Sequence, residues 1–136
     1  MGSRRRAREA AVQILYEMDV SEMDAEQAIV RFWDNLGMFE GESEFGNQLV
    51  RGCASQMSSI DTTIRSVSEH WRLERMACVD RNIIRLAVFE LMTLPDVPRK
   101  VTLNEAVELA KRFGDESSPS FVNGVLDRIA NDLDKD

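Results

Sequence analysis

The residues best equipped for chemistry crowd one end of the chain. Arg4, Arg5, Arg6 and Arg8 fall within the first eight positions, and removing their four charges from the formal −7 of the 136-residue sequence leaves −11 on the remainder. A short cationic end on a markedly acidic body points to an anionic target, phosphate first among them. The other reactive side chains are scattered. His70 is the single histidine and stands beside Trp71 at an expected helix end, where it reads as a hydrogen-bonded structural residue. Cys53 and Cys78 have neither CxxC spacing nor partner histidines, so they read as reduced, buried thiols. Glu90 sits inside an apolar run and reads as a paired structural carboxylate, with Arg81 and Arg85 far around the same helix from it. Glu105 and Glu108 read as a helix cap and a solvated face. There is no nucleophile with its base, no carboxylate pair, no phosphate-cradling glycine loop and no metal cluster, so neither catalysis nor a metal or cofactor is expected.

The elements that must position the arginines are helical. Ala7, Ala11, Ile14, Leu15 and Met18 recur at steps of three and four, which predicts an amphipathic helix with Ser3 as its N-cap. The arginines occupy its first turn, where the helix dipole favours acids, and Arg4 and Arg8 stand at i,i+4, where like charges repel. Each violation costs a few tenths of a kcal/mol, and a sequence that accepts several at one end is suspected of using that end for binding.

Further helices follow from the same periodicity. Ala28, Ile29, Phe32, Trp33 and Leu36 mark a second, stopped by Gly37 and a loop to Gly41; Phe45, Leu49, Val50 and Cys53 mark a third, with Gly52 read as permitting close helix approach. Ser58 or Ser59 is expected to cap a fourth carrying Ile60, Ile64, Val67 and Trp71. Between Asp80 and Leu94 the apolar residues run nearly all the way round, which predicts a central buried helix. Pro95 to Pro98 interrupts, and Thr102-Leu103-Asn104-Glu105 reads as a capping box opening the next helix, closed by Lys111, Arg112 and Gly114. Ser118 is expected to cap and Pro119 to open the last, whose apolar face runs from Phe121 to Leu133, with Gly124 interrupting it as Gly52 did.

No strand alternation, hairpin signal or repeat appears. The expected fold is all-α, about seven helices forming one domain over residues 1–136, with two packed subdomains at 1–72 and 73–136. With 43 % hydrophobic residues such a chain can bury a core without disulfides. The basic start lacks a signal-peptide apolar region, no run is long enough to span a bilayer, and Arg6 stands where a myristoylation pattern wants Ser or Thr, so a soluble cytoplasmic protein with no membrane partner is expected.

Taken together, several stretches resemble the transcription antitermination factor family NusB. They are Arg4-Arg5-Arg6-Ala7-Arg8-Glu9 leading to Gln13-Ile14-Leu15-Tyr16; Trp71 with Arg75; Asp80-Arg81-Asn82-Ile83-Ile84-Arg85-Leu86-Ala87-Val88-Phe89-Glu90-Leu91; Val97-Pro98 to Asn104-Glu105-Ala106-Val107-Glu108-Leu109-Ala110-Lys111; and Phe121-Val122-Asn123-Gly124-Val125-Leu126-Asp127. The resemblance runs essentially end to end. It implies a non-enzymatic, all-helical RNA-binding adapter that pairs with the ribosomal protein NusE, recognises the single-stranded boxA element of nascent ribosomal RNA and helps keep RNA polymerase processive. Carried over by position, the RNA surface would comprise Arg4, Arg5, Arg6 and Arg8, with Gln13 and Tyr16 at the base side and Phe121 entering from the last helix; Tyr16 and Phe121 would stack on bases or, alternatively, belong to the core. A protein-partner surface would lie around Asp80, Arg85 and Glu90. Some relatives self-associate through the arginine-bearing face, which adds a homodimer hiding the RNA site to the states the resemblance allows.

The chain departs from the family pattern where the loop before Phe121 carries Ser120 in place of the lysine that relatives often have, and no lysine precedes Arg4, so the positive charge rests on the arginine cluster and Arg112. Two alternative readings stand beside the antitermination one. An accessory domain of an RNA cytosine methyltransferase would need catalytic segments absent from these residues, and a protein-only helical adapter would use its arginines merely for solubility.

Overall fold

The fold is a computed structural model that describes residues 2–36, 44–67 and 72–135. Seven α-helices account for most of it: α1 Gly2–Ser21, α2 Ala25–Leu36, α3 Glu44–Ser55, α4 Met57–Val67, α5 Cys78–Thr93, α6 Arg99–Phe113 and α7 Ser118–Asp132, with one 3₁₀ turn at Leu73–Arg75 before α5. No strand occurs among the described residues, so the all-α expectation holds. The expected readings of Gly37, the loop to Gly41, His70 and Trp71 lie outside the described residues.

The helix α5 is the hub, packing against α1, α3, α4, α6 and α7. Its sequence explains why: Ile83, Ile84, Leu86, Ala87, Val88 and Leu91 are all buried and cover an arc of about 200° around the axis. The amphipathic stripe of α1 lies against it, with Ala11, Ile14 and Leu15 buried. Ile14 and Leu15 each contribute about 1.5–3 kcal/mol by leaving water, and Ala11 less. The buried residues from Ala10 to Ala130 form one continuous hydrophobic cluster. Trp33 on α2 donates its indole N–H to Asn47 on α3 at 2.9 Å, which satisfies both polar groups inside the packing.

Gly52 allows α3 to lie close to α5, since a Cβ there would come within 2.2 Å of the Phe89 ring. Gly124 differs from it: a Cβ at that position meets nothing within 4 Å, so the α7 glycine is not a packing requirement. Gly114 has an extended backbone rather than a left-handed one, and it is kept small by the Ser118 side chain 2.4 Å from where its Cβ would stand.

The helix starts differ from expectation in four places. α1 already includes Gly2, which puts Ser3 inside the helix rather than at its cap. α4 already includes Met57, which puts Ser58 and Ser59 inside the helix rather than at its cap. α6 begins right after Pro98, whose carbonyl accepts the Val101 N–H at 3.0 Å, so Thr102 is a buried interior residue and Glu105 is free for other work. At α7 the N-cap position falls at Ser117 rather than Ser118, and the side chain that serves the helix start is Asp115, whose Oδ1 accepts the backbone N–H groups of Ser117 at 2.9 Å and Ser118 at 3.1 Å.

Candidate nucleic-acid interface

The four N-terminal arginines, adjacent in sequence, separate in space because successive helical residues turn by about 100°. On α1, Arg5, Arg6, Glu9, Gln13 and Tyr16 fall within an arc of about 100°, while Arg4 and Arg8 lie outside it. Arg5, Arg6, Gln13 and Tyr16 are exposed, and together they form a stripe along one face. Arg4, also exposed, lays its guanidinium over the Phe45 ring of α3 at 4.3 Å, a cation–π contact.

Arg8 is the exception. It is 5 % exposed and forms a two-pronged salt bridge with Glu90 of α5, Nη2 to Oε1 at 2.8 Å and Nε to Oε2 at 2.9 Å. Burial opposes its charge, but hydrogen bonding and attraction to the Glu90 carboxylate outweigh that and hold its pKa above the ordinary arginine value. Its expected place on the RNA surface is therefore corrected: the guanidinium faces the interior between α1, α5 and α6. The repulsion anticipated between Arg4 and Arg8 is relieved by the same arrangement, one cation being neutralised and the other stacked on a ring.

Arg5 is held from α6. Its Nε donates to Glu105 Oε1 at 3.3 Å and its Nη2 to Oε2 at 2.9 Å, and these bonds, with burial opposing, keep Glu105 below the usual carboxylate range. Glu9 faces Arg112 of α6 at 3.6 Å, so a cation from α6 joins the same surface. Gln13 donates its side-chain N–H to the Glu9 carbonyl at 3.1 Å. Tyr16 is 39 % exposed and borders an open groove of about 390 Å³ lined by Phe32, Leu36, Val79 and Phe113. Phe121, near the start of α7, is partly buried and packs on the core, and α6 contacts both its helix and α1.

The other three carried-over residues do not share an exposed surface. Asp80 is buried in the first turn of α5, with one carboxyl oxygen left without a partner. Arg85 is nearly buried and reaches two acids, Asp61 through Nε at 2.9 Å and Nη2 at 3.0 Å, and Asp19 through Nη1 at 3.2 Å. Glu90 is 2 % exposed on Arg8. The expectation of a partner surface made by this trio is corrected for a physical reason: α5 is packed among other helices, so Arg85 and Glu90 meet charges on those helices and Asp80 is buried rather than offered to solvent.

Sequence reading missed the partners that cross the chain. Asp19, at the end of α1, collects the Arg81 Nε at 2.9 Å, the Asn82 Nδ2 at 3.0 Å and the Cys78 thiol at 3.4 Å, in addition to Arg85. Burial raises its pKa, but the Asn82 and Arg81 hydrogen bonds lower it further, for a net depression. Cys78 is half-buried, and burial followed by the Asp19 contact pushes its thiol pKa up; Cys53 is fully buried and its thiol is pushed up by burial as well. Neither is a poised nucleophile. Among the described residues no group of three or more His, Cys, Asp or Glu side chains could hold a metal ion, and no helix is long and apolar enough to cross a membrane.

Comparison with known proteins gives one answer. The sequence model of the NusB family matches residues 5–131. The transcription antitermination protein NusB of Sorangium cellulosum is 49 % identical over 98 % of this chain and 95 % of its own length, and that of Anaeromyxobacter dehalogenans strain 2CP-1 is 52 % identical over 98 % and 94 %. Among solved structures, T. maritima NusB superposes with a TM-score of 0.84 at 40 % identity, covering 94 % of this chain and 90 % of that one. A structure of the antitermination factors NusB and NusE in complex with double-stranded RNA gives 0.86 at 28 % identity, covering 97 % and 98 %. Sequence, fold and near-complete mutual coverage agree that this chain belongs to the NusB family.

Proposed function

We propose that this chain is a non-enzymatic, RNA-binding transcription antitermination factor that acts in the cytoplasm. With the ribosomal protein NusE it binds the boxA element of nascent ribosomal RNA and helps RNA polymerase to transcribe processively. The observation that supports this most directly is the exposed α1 stripe of Arg5, Arg6, Gln13 and Tyr16, flanked by Arg112, on a body that is otherwise strongly acidic. On an acidic protein, polyanionic RNA is repelled everywhere except where cations are displayed together, so the stripe selects the docking face. Arginines there can track phosphates and stack on unpaired bases, while Gln13 offers both a donor and an acceptor to a base edge. Its relatives named NusB are antitermination proteins, and one solved homologue was captured with NusE and RNA.

The test is a titration of a boxA-like single-stranded RNA against a scrambled strand at several salt concentrations, with and without NusE. Selective binding that tightens with NusE is the expected result. For single strands log K falls with log salt by about 0.7 per phosphate neutralised, so Arg5→Ala with Arg6→Ala should flatten the slope by about 0.7 or more. An unchanged slope would shift the reading to a protein-only adapter. Phe121→Ala should weaken binding by about 1–3 kcal/mol if the ring stacks on a base. Loss of stability with normal binding would assign Phe121 to the core.

A further inference from the structure

Four charged side chains from three helices form a ladder that climbs from the core to the proposed RNA face. At its base Glu90 is locked to Arg8; Arg8 Nη1 then lies 4.0 Å from Glu105 Oε1, and Glu105 in turn grips Arg5. Exposure rises along the ladder, with the Glu105 side chain 19 % exposed and that of Arg5 51 % exposed. Glu105 is thus braced from below by a buried cation and presents its carboxylate outward to a surface cation. The carboxylate occupies the Nε and Nη2 edge of Arg5, and the Nη1 edge has no partner among the described residues.

Resting on the RNA-binding function proposed above, we infer that Glu105 is a selectivity-determining residue, orienting Arg5 toward bases and suppressing its attraction for phosphate alone. Two physical consequences of the grip lead there. First, the Arg5–Glu105 pair carries no net charge, so a phosphate approaching Arg5 meets a carboxylate a few ångströms behind the guanidinium and gains little from the encounter. Sequence-blind attraction to any RNA backbone is lowered. Second, a guanidinium held by two bonds along one edge has its plane and its remaining edge fixed in space. A base whose acceptors or π-face match that fixed edge is rewarded, because the cost of ordering the long side chain has been met before RNA arrives. Glu105 therefore changes Arg5 from a general phosphate clamp into a contact that responds to which base is presented. The bracing by Arg8 matters too, since it holds the carboxylate in place when the solvent-facing pair is disturbed.

The experiment compares a boxA-like single strand with a scrambled strand of equal length and composition, for wild type and for Glu105→Gln, Glu105→Asp, Arg5→Ala and the Arg5→Ala/Glu105→Gln pair. All are first checked for native helicity and unfolding temperature. Glu105→Gln removes the charge with little change in shape and should tighten scrambled RNA by about two- to fivefold, the range of a single exposed ion pair, leaving the boxA-like strand unchanged or weaker. The ratio of the two affinities therefore falls. The salt slope for scrambled RNA should steepen by about 0.7 as Arg5 becomes available to one more phosphate. Glu105→Asp keeps the charge but shortens the reach, so it should weaken the boxA-like strand without tightening the scrambled one. In the Arg5→Ala background Glu105→Gln should have no effect on either strand. A ratio that stays constant in Glu105→Gln, or a shift that persists without Arg5, overturns the inference. Wild-type protein that shows no preference for the boxA-like strand instead overturns the functional reading on which it rests.

Discussion

Replacing Arg8 by methionine removes one partner of an ion pair that the interior holds almost dry, with side-chain exposures of 7 % for Arg8 and 2 % for Glu90. Methionine is close in length to the aliphatic stem, so the loss is chiefly electrostatic: the Glu90 carboxylate remains under the packed residues of α5 with its two bonded donors gone. Stranding a buried charge costs about 3–5 kcal/mol. A domain has about 5–15 kcal/mol in total, so a fifth or more of the stability is at stake. With a urea m-value of about 1–3 kcal/mol/M, the midpoint should fall by about 2 M with the slope unchanged. Arg8→Met combined with Glu90→Leu removes both charges, and the pair should recover most of the loss because no isolated charge stays behind. Urea unfolding followed by circular dichroism measures all three variants. A loss below about 1 kcal/mol for Arg8→Met, or full additivity in the double variant, would refute the buried-pair reasoning. The refolded double variant also serves as a functional control, since its RNA salt slope should match wild type if Arg8 contacts Glu90 and not phosphate.

Three further outcomes follow from the geometry. Gly52→Ala drives a methyl group into the Phe89 ring and should cost about 1–3 kcal/mol, whereas Gly124→Ala meets no atom and should stabilise α7 by about 0.5–1 kcal/mol, both read from thermal unfolding. Asp115→Ala removes the acceptor of two N–H groups at the start of α7 and should lower the unfolding temperature, with faster amide exchange at Ser117 and Ser118 as the local signature. Asp19 is held below its ordinary value of 3.8 in the folded state, so the stability it contributes is complete above the unfolded pKa and is lost as pH falls through the folded one. Unfolding temperature measured from pH 6 to pH 2 should fall steeply below about pH 4, and Asp19→Asn should flatten that acid limb. An identical limb in the variant would place the acid sensitivity elsewhere.

The sequence by itself determined the helices and the charge inversion. Apolar steps of three and four define a helical face whatever surrounds it, and the crowding of apolar residues around α5 alone required that this helix be central. A net charge and a cluster of arginines are likewise properties of the linear chain, and the end-to-end resemblance to the NusB family was carried by contiguous runs such as Phe121 to Asp127. Which arginine faces what was decided only by tertiary structure. Arg5 and Arg8 are three residues apart, yet one is a surface cation held by Glu105 and the other is a buried partner of Glu90, 82 positions away. Periodicity gives the direction of each side chain about its own helix axis but is silent on what the next helix presents there. For the same reason Glu105 read as a cap and the family resemblance put Arg85 and Glu90 on a partner surface, whereas Glu105 holds Arg5, Arg85 holds Asp61 and Glu90 holds Arg8, each on another helix. A helical rotation of about 100° per residue separates adjacent charges, and only the packing of α1 against α5 and α6 decides which of them meets water and which meets its counter-ion.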